Sequence, residues 1–292
     1  NKKQNSMKQI IYIHEDNADI TISKFPDGQQ QVTLNNPQHF NKSSEVLIKS
    51  RLTSFQDLEL ICCTVASLRS KGVKSIHLYI PYVLGGRSDR TFVDGSNNYL
   101  KQVICPIINS LNLETVSVLD PHSDVLEACI NNFQKFDNSD LIKLMIHDLD
   151  REFPGDLYSN LVLVSPDAGA TKKVFKVAEN LAFTGDVITC SKNRDVNGKL
   201  TKTVVPIKQG ETKDVVIIDD ICDGGATFIN IAKALDEAGH QGKKYLVVTH
   251  GIFSKGTTEL GHHFETIYTT NSYKDFTQLE LFKVKYIDTY GV

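Results

Sequence analysis

The sequence predicts an α/β protein of two similar domains, each a mainly parallel sheet flanked by helices. Short all-apolar runs alternate with stretches of helical period along the chain, and the strand-then-helix pattern restarts near the middle. Several of the junctions between run and helix also bring charged and small residues together, where open α/β folds place their ligands.

Residues 10–13, 31–34 and 46–48 read as strands, and Leu58, Ile61, Cys62, Val65 and Leu68 then share one helical face until Gly72 ends it. Residues 76–80 form the next strand, stopped at Pro81. Leu100, Val103, Ile104, Ile107 and Leu111 mark another helix and residues 115–119 another strand, which is repeated βα winding. After a helix around 141–150 the pattern restarts with a strand at 161–164, a helix carrying Val174, Val177, Ala178 and Leu181, and a strand at 186–189. Residues 191–213 are polar, with an Asn197-Gly198 turn between short arms, and read as a mobile flap. Val215, Val216, Ile217 and Ile218 form a strand so short and apolar that both faces should be covered. Ile229, Ala232, Leu235 and Ala238 recur at helical spacing until Gly239 offers a stop. The expected domains are 7–150 and 151–292, with a seam near Gly155; residues 1–6 precede Met7 and carry no functional reading.

At 292 residues, 40% hydrophobic and 23% charged, the composition suits a globular two-domain chain. No apolar run approaches bilayer length and the N-terminus lacks a signal-peptide pattern, so a soluble, cytoplasmic protein without membrane contact is expected. A net charge of −3 without a long basic tract argues against nucleic acid as the main partner. The cysteines at 62, 63, 105, 129, 190 and 222 show no CxxC spacing and read as reduced thiols, mostly in cores. Cys222 reads as a small buried filler.

The densest signal is "VVIIDDICDGGATFINIAKAL", residues 215–235. In Asp223, Gly224, Gly225, Ala226 and Thr227 there is little side-chain bulk, so backbone N–H groups at a helix N-terminus can meet one phosphate beside the Thr227 hydroxyl. Asp219 and Asp220 can accept from a ribose diol of the same ligand, or steer Mg²⁺ through its waters. The plainer alternative is that the two acids end the strand, Asp223 caps the helix and the glycines make a tight turn. Strand, acids, glycine loop and helix in one block favour the ligand.

Four further segments have the same double reading. In "GGRSDR", residues 85–90, Arg87 and Arg90 can pair with triphosphate oxygens or form a solvated surface network. "DPHSD", 120–124, puts His122 where an imidazole reaches a metal or a phosphate, or serves structure. "SPDAGATKK", 165–173, offers Asp167 as an acceptor for metal-bound water or as a helix cap. "SKNRD", 191–195, places Lys192 and Arg194 on the flap, as a surface pair or as cations carried onto a transferring phosphate.

Alone, the 215–227 block resembles the phosphoribosyl-diphosphate motif of type I phosphoribosyltransferases and of ribose-phosphate diphosphokinases. In order, "KFPDGQQQV", "YIPYVLGGRSDR", "VLDPHSD", "VSPDAGATKK", "SKNRD", "VVIIDDICDGGAT" and "VVTHGIFS" resemble the ribose-phosphate diphosphokinase family over nearly the whole chain. A simple transferase would share only 219–227.

This resemblance implies two phosphoribosyltransferase-like domains, the first on the nucleotide side. It implies transfer of the diphosphoryl group of ATP to ribose 5-phosphate with Mg²⁺ as cofactor, and a homo-oligomer whose nucleotide site is shared between subunits. By that analogy Phe25, Asp27, Gln29, Arg87, Ser88, Asp89 and Arg90 belong to the nucleotide site, with Phe25 and Asp27 lent by a neighbouring subunit. His122 and Asp167 hold the metal, and Lys192 and Arg194 join His122 as the catalytic set. Asp219 and Asp220 take the ribose hydroxyls, while Asp223, Gly224, Gly225, Ala226 and Thr227 cradle the 5-phosphate.

The chain departs from the family at Gln29, usually an acid, at Ser88, usually an amide, and at Gly224, often Thr. It also stops at "KVKYIDTYGV", where family members continue into a helix and tail, which implies loss of the usual ADP allosteric control. Two other readings compete. A type I phosphoribosyltransferase would release pyrophosphate with an added base and form no AMP. A non-catalytic regulatory relative would be expected to lose the flap cations or the metal histidine, and this chain keeps Lys192, Arg194 and His122.

Overall fold

Strand residues alternate between the two faces of a sheet, and in this chain that period decides which helix each apolar run meets. The computed structural model describes residues 9–14, 19–151, 157–194, 200–280 and 283–289. It divides into two compact units, Asn1–Asp137 and Asn138–Val292.

In the first unit, β1 (Gln9–Tyr12), β4 (Glu45–Lys49), β5 (Ser75–Ile80), β6 (Thr115–Leu119) and β7 (Phe133–Phe136) form a parallel sheet in that order. Val46, Ile48, Ile76, Leu78, Val116 and Val118 share one core with Leu58, Ile61, Val65 and Leu68 of α1 (Phe55–Ser70). The other residues of the same strands include His77, which bonds Thr115 at 2.8 Å and approaches Glu45 at 3.2 Å.

A capping box starts α1. The Ser54 hydroxyl accepts from the Asp57 N–H, and the Asp57 carboxylate accepts from the Ser54 and Thr53 N–H groups at 2.8 Å. The expected helix over 100–111 is divided. Pro106 has no N–H and crowds the preceding turn, and there the Cys105 N–H reaches back five residues to Leu100, giving a π turn (Leu100–Ile104) before α2 (Cys105–Ser110). α3 (Val125–Cys129) joins β6 to β7.

A hairpin of β2 (Ile20–Lys24) and β3 (Gln30–Leu34) lies on α1. Gln30 donates to both Glu59 carboxylate oxygens, at 3.1 Å from its N–H and 3.0 Å from its side chain, and Ser67 donates to Val32. β3 therefore runs along α1 from its first turns onward, which brings the hairpin tip to the end of α1 nearest the carboxyl edge of the sheet.

The second unit holds a six-stranded parallel sheet in the order β15-β14-β13-β12-β8-β9. Its strands are β8 (Leu161–Ser165), β9 (Asp186–Thr189), β12 (Asp214–Cys222), β13 (Lys244–Gly251), β14 (Thr266–Thr270) and β15 (Val284–Ile287). As the all-apolar run requires, β12 is covered on both faces. Val215 and Ile217 meet Phe228, Ile231 and Leu235 of α6 (Ala226–Glu237) and Leu260 of α7 (Thr258–His263). Val216 and Ile218 meet Leu141, Met145 and Leu149 of α4 (Ser139–Asp150) and Val174 and Val177 of α5 (Thr171–Asn180).

The expected boundary at Asp150 is corrected by α4, whose apolar stripe is buried in the second unit, so the division falls before this helix at 137/138. Gly155, expected at the seam, lies outside the described residues. Among those residues no helix is long and apolar enough to cross a membrane.

Candidate active site

In the second sheet the chain winds outward from β8 to β9 on one side and from β12 to β15 on the other. The crevice at such a reversal, outside the carboxyl ends of β8 and β12, is where open α/β sheets bind ligands. It receives both the Asp167 loop and the 219–227 block.

Gly225 is the residue before α6 and adopts φ +79°, a left-handed conformation that favours glycine; a Cβ there would stand 3.0 Å from the Leu260 side chain. The N-cap of α6 is Gly225, which has no side chain, so Asp223 does not occupy the cap position. Among the described residues no acceptor pairs with the N–H groups of Gly224, Ala226 and Thr227. A helix start with unpaired amides and no competing cap favours an anion. Cys222 is fully buried among the core residues beneath, and burial, reinforced by Asp219 and Asp223, pushes its thiol up to about 12. It is a filler and not a nucleophile.

The two acids are held unequally. The Asp219 carboxylate accepts the Asp220 N–H at 2.9 Å, and Lys173 of α5 sets its ammonium 3.8 Å from the buried Asp220 carboxylate. Burial, and then the charge of Asp220, hold the Asp219 carboxyl well above the usual carboxylate range. A raised pKa means that the folded state binds this proton more tightly than the unfolded chain, so this contribution is full at low pH and lost as pH rises through the raised pKa. Asp219→Asn removes that loss. Its melting temperature relative to the parent is expected to rise as the pH climbs above the usual carboxylate range, and a gap independent of pH would contradict the assignment.

Asp167 has a local role in the loop ahead of α5, whose cap position is Ala170 and carries no side-chain cap. Its Oδ1 accepts the Gly169 N–H at 3.0 Å and the Ala170 N–H at 3.3 Å, steadying the loop ahead of α5. A carboxylate has about four lone-pair sites, so this use leaves acceptor capacity for a metal-bound water. Among the described residues no three His, Cys, Asp or Glu side chains gather as a metal cage. Mg²⁺ commonly binds through one or two carboxylates, several waters and substrate phosphates, and Asp167, Asp219 and Asp220 supply oxygens of that kind.

The flap residues fall on an antiparallel ribbon that leaves β9 at the same carboxyl edge. Its arms are β10 (Ser191–Arg194) and β11 (Leu200–Val204), with Lys192 opposite Thr203 and Arg194 opposite Leu200. The side chains of Lys192 and Arg194, and the Asn197-Gly198 turn, lie outside the described residues.

The first unit gathers its candidates at the carboxyl edge of its own sheet. Asp120 is buried and leaves β6 at φ +38°, an uncommon conformation for a residue with a side chain, and His122 follows it, exposed. Beyond β5, Gly85 takes φ +76° against the Tyr99 ring, and the loop is fixed by the Ser88 N–H to Gly85 and by the Asn98 side chain to the Asp89 carbonyl at 2.8 Å. Arg87 and Arg90 are exposed, the latter 5.2 Å over the Phe92 ring. At the hairpin tip Phe25 is 46% exposed, and the Asp27 carboxylate accepts the Gln29 N–H at 3.1 Å. Lys173 is the site residue that the sequence reading passed over. It stands inside a quoted block, but its pairing with Asp220 depends on β8 and β12 being neighbours.

Residues 139–277 match the family model described as the phosphoribosyl transferase domain. The ribose-phosphate pyrophosphokinase of Sulfurisphaera tokodaii is 28% identical over 255 residues, covering 85% of this chain and 82% of that protein. The enzyme of the same name from Pasteurella multocida is 26% identical over 239 residues, covering 81% and 72%. The fold is similar to that of the phosphoribosylpyrophosphate synthetase from Mycobacterium smegmatis, with a TM-score of 0.78 at 17% identity, covering 92% of this chain and 85% of the other.

Proposed function

This chain belongs to the ribose-phosphate pyrophosphokinase family, and from that premise we propose that it moves the diphosphoryl group of ATP to the 1-hydroxyl of ribose 5-phosphate. The products are 5-phosphoribosyl 1-diphosphate and AMP. One observation carries the choice over a phosphoribosyltransferase: the similarity to pyrophosphokinases extends over 85% of the chain and so into both units, whereas the transferase domain occupies 139–277.

The sugar oxygen attacks the β-phosphorus, the bond from that phosphorus to the α,β-bridging oxygen breaks, AMP leaves, and the hydroxyl proton is lost. Such a transfer depends on positioning and charge neutralisation more than on a strong base. We assign the amides at the start of α6 to the 5-phosphate and Asp219 and Asp220 to the ribose hydroxyls. Phe25, Asp27, Gln29, Arg87, Ser88, Asp89 and Arg90 are assigned to ATP, with the hairpin tip serving a neighbouring subunit of a homo-oligomer. When bound, Mg²⁺ would supply charge neutralisation on the phosphates, and Asp167 is the residue of the second unit assigned to hold it. Lys192 and Arg194 bring positive charge to the transferring group.

An assay of AMP release with each component omitted in turn tests the reading. AMP formation that requires both ribose 5-phosphate and Mg²⁺ is expected. ADP as the nucleotide product, or pyrophosphate release from phosphoribosyl diphosphate with an added base, would replace it.

A further inference from the structure

The proposed phosphate loop stands beside the acids Asp220 and Asp223, which is an unfavourable setting for a dianion unless cations offset them. Lys173 is engaged with Asp220. A second lysine comes from the loop after β13, which is zipped onto the phosphate loop: the N–H groups of Ile252 and Phe253 donate to the Cys222 carbonyl at 2.9 and 3.1 Å, and that of Ser254 to the Asp223 carbonyl at 3.2 Å. A tight turn closed by the Gly256 N–H on the Phe253 carbonyl at 2.8 Å, with φ +47° at Phe253 and +73° at Gly256, then presents Lys255.

The stem of Lys255 occupies the space above Gly224. A Cβ built on Gly224 would lie 3.4, 3.5 and 3.6 Å from Lys255 Cδ, Cε and Cγ, ordinary packing distances. Its methylenes thus lie where a side chain of the phosphate loop would stand, and the ammonium is one bond beyond Cε. Lys255 is exposed, and among the described residues no hydrogen bond or ion pair engages it. An apolar stem laid on a backbone with a hydrated charged head is the ordinary posture of lysine, here held beside the unpaired amides of Gly224, Ala226 and Thr227.

We infer that Lys255 is a further substrate-binding residue, whose ammonium closes over the phosphate loop and binds the 5-phosphate of the sugar. The inference rests on the reading of this loop as the ribose 5-phosphate site. Glycine at 224 gives the loop no hydroxyl, and the lysine fills that position from the neighbouring strand with a charge. Because a lysine donates as a point charge, arginine at 255 substitutes in part, while methionine keeps the packing and loses the ammonium.

The test is a calorimetric titration of the full-length protein with ribose 5-phosphate, which does not depend on turnover. Lys255→Met is expected to weaken binding about tenfold and to flatten its salt dependence, with Lys255→Arg recovering most of the affinity. Unchanged affinity in Lys255→Met, with the parent still binding and still forming AMP, overturns the inference and leaves the synthetase reading intact. Absence of ribose 5-phosphate binding by the parent overturns both.

Discussion

Lys192→Ala is expected to lower kcat by about 10²–10³-fold, the cost of removing one preorganised charge contact from a transition state, while affinity for ribose 5-phosphate changes little. The reason is where the residue lies. Its strand belongs to a two-stranded ribbon, paired through Lys192 and Thr203 and leaving the carboxyl edge of β9, and is not part of the six-stranded sheet that carries the 219–227 loop. On the proposed assignment a cation on such an arm would meet the phosphate being transferred, whereas the sugar phosphate would be held by backbone amides elsewhere. Steady-state kinetics with both substrates varied separate the terms, since an interaction made only in the transition state lowers kcat and kcat/KM together. Equal loss of turnover and of sugar affinity would contradict the assignment.

Gly225→Val is expected to lose ribose 5-phosphate binding by tenfold or more and to melt at a lower temperature. At φ +79° a β-branched residue carries strain of about 1–3 kcal/mol, and its Cβ meets Leu260 at 3.0 Å. The strain alone, at about 2–4 °C per kcal/mol for a unit of this size, lowers the melting temperature by roughly 5 °C. Relief of that strain rotates the loop and turns the amides at the start of α6 away from a common point. A variant that melts lower but binds ribose 5-phosphate as the parent does would remove the 5-phosphate from this loop.

Parts of this molecule are legible in sequence where local chemistry decides them. Val215 to Ile218 had to be covered on both faces, and α6 and α7 cover one face while α4 and α5 cover the other. The buried run Tyr245 to Val248 carries the same signal, so β13 was within reach of the sequence although the pass along the chain does not single it out as a strand. β2 and β15 were not within reach in this way. Most of β2 is exposed, and β15 is a sheet-edge strand with only Val284 buried, so neither shows a clear apolar period.

The amphipathic stripe of α4 announces a helix but not which sheet it covers, and the expected boundary was therefore one helix late. The site shows the same division. Gly225 and the acids are readable because a tight strand-to-helix turn needs them within a few residues. Lys173 and Lys255 come from loops and helices on neighbouring strands, and strand order is not written in any local period.

The central claim is diphosphoryl transfer to the sugar, and phosphorus NMR of the products formed from ATP, Mg²⁺ and ribose 5-phosphate tests it most directly. The account predicts that the β- and γ-phosphates of ATP appear together on the sugar as a diphosphate, with one AMP for each. Transfer of the γ-phosphate alone with ADP left behind, or ATP unchanged while phosphoribosyl diphosphate is consumed with an added base, would contradict it.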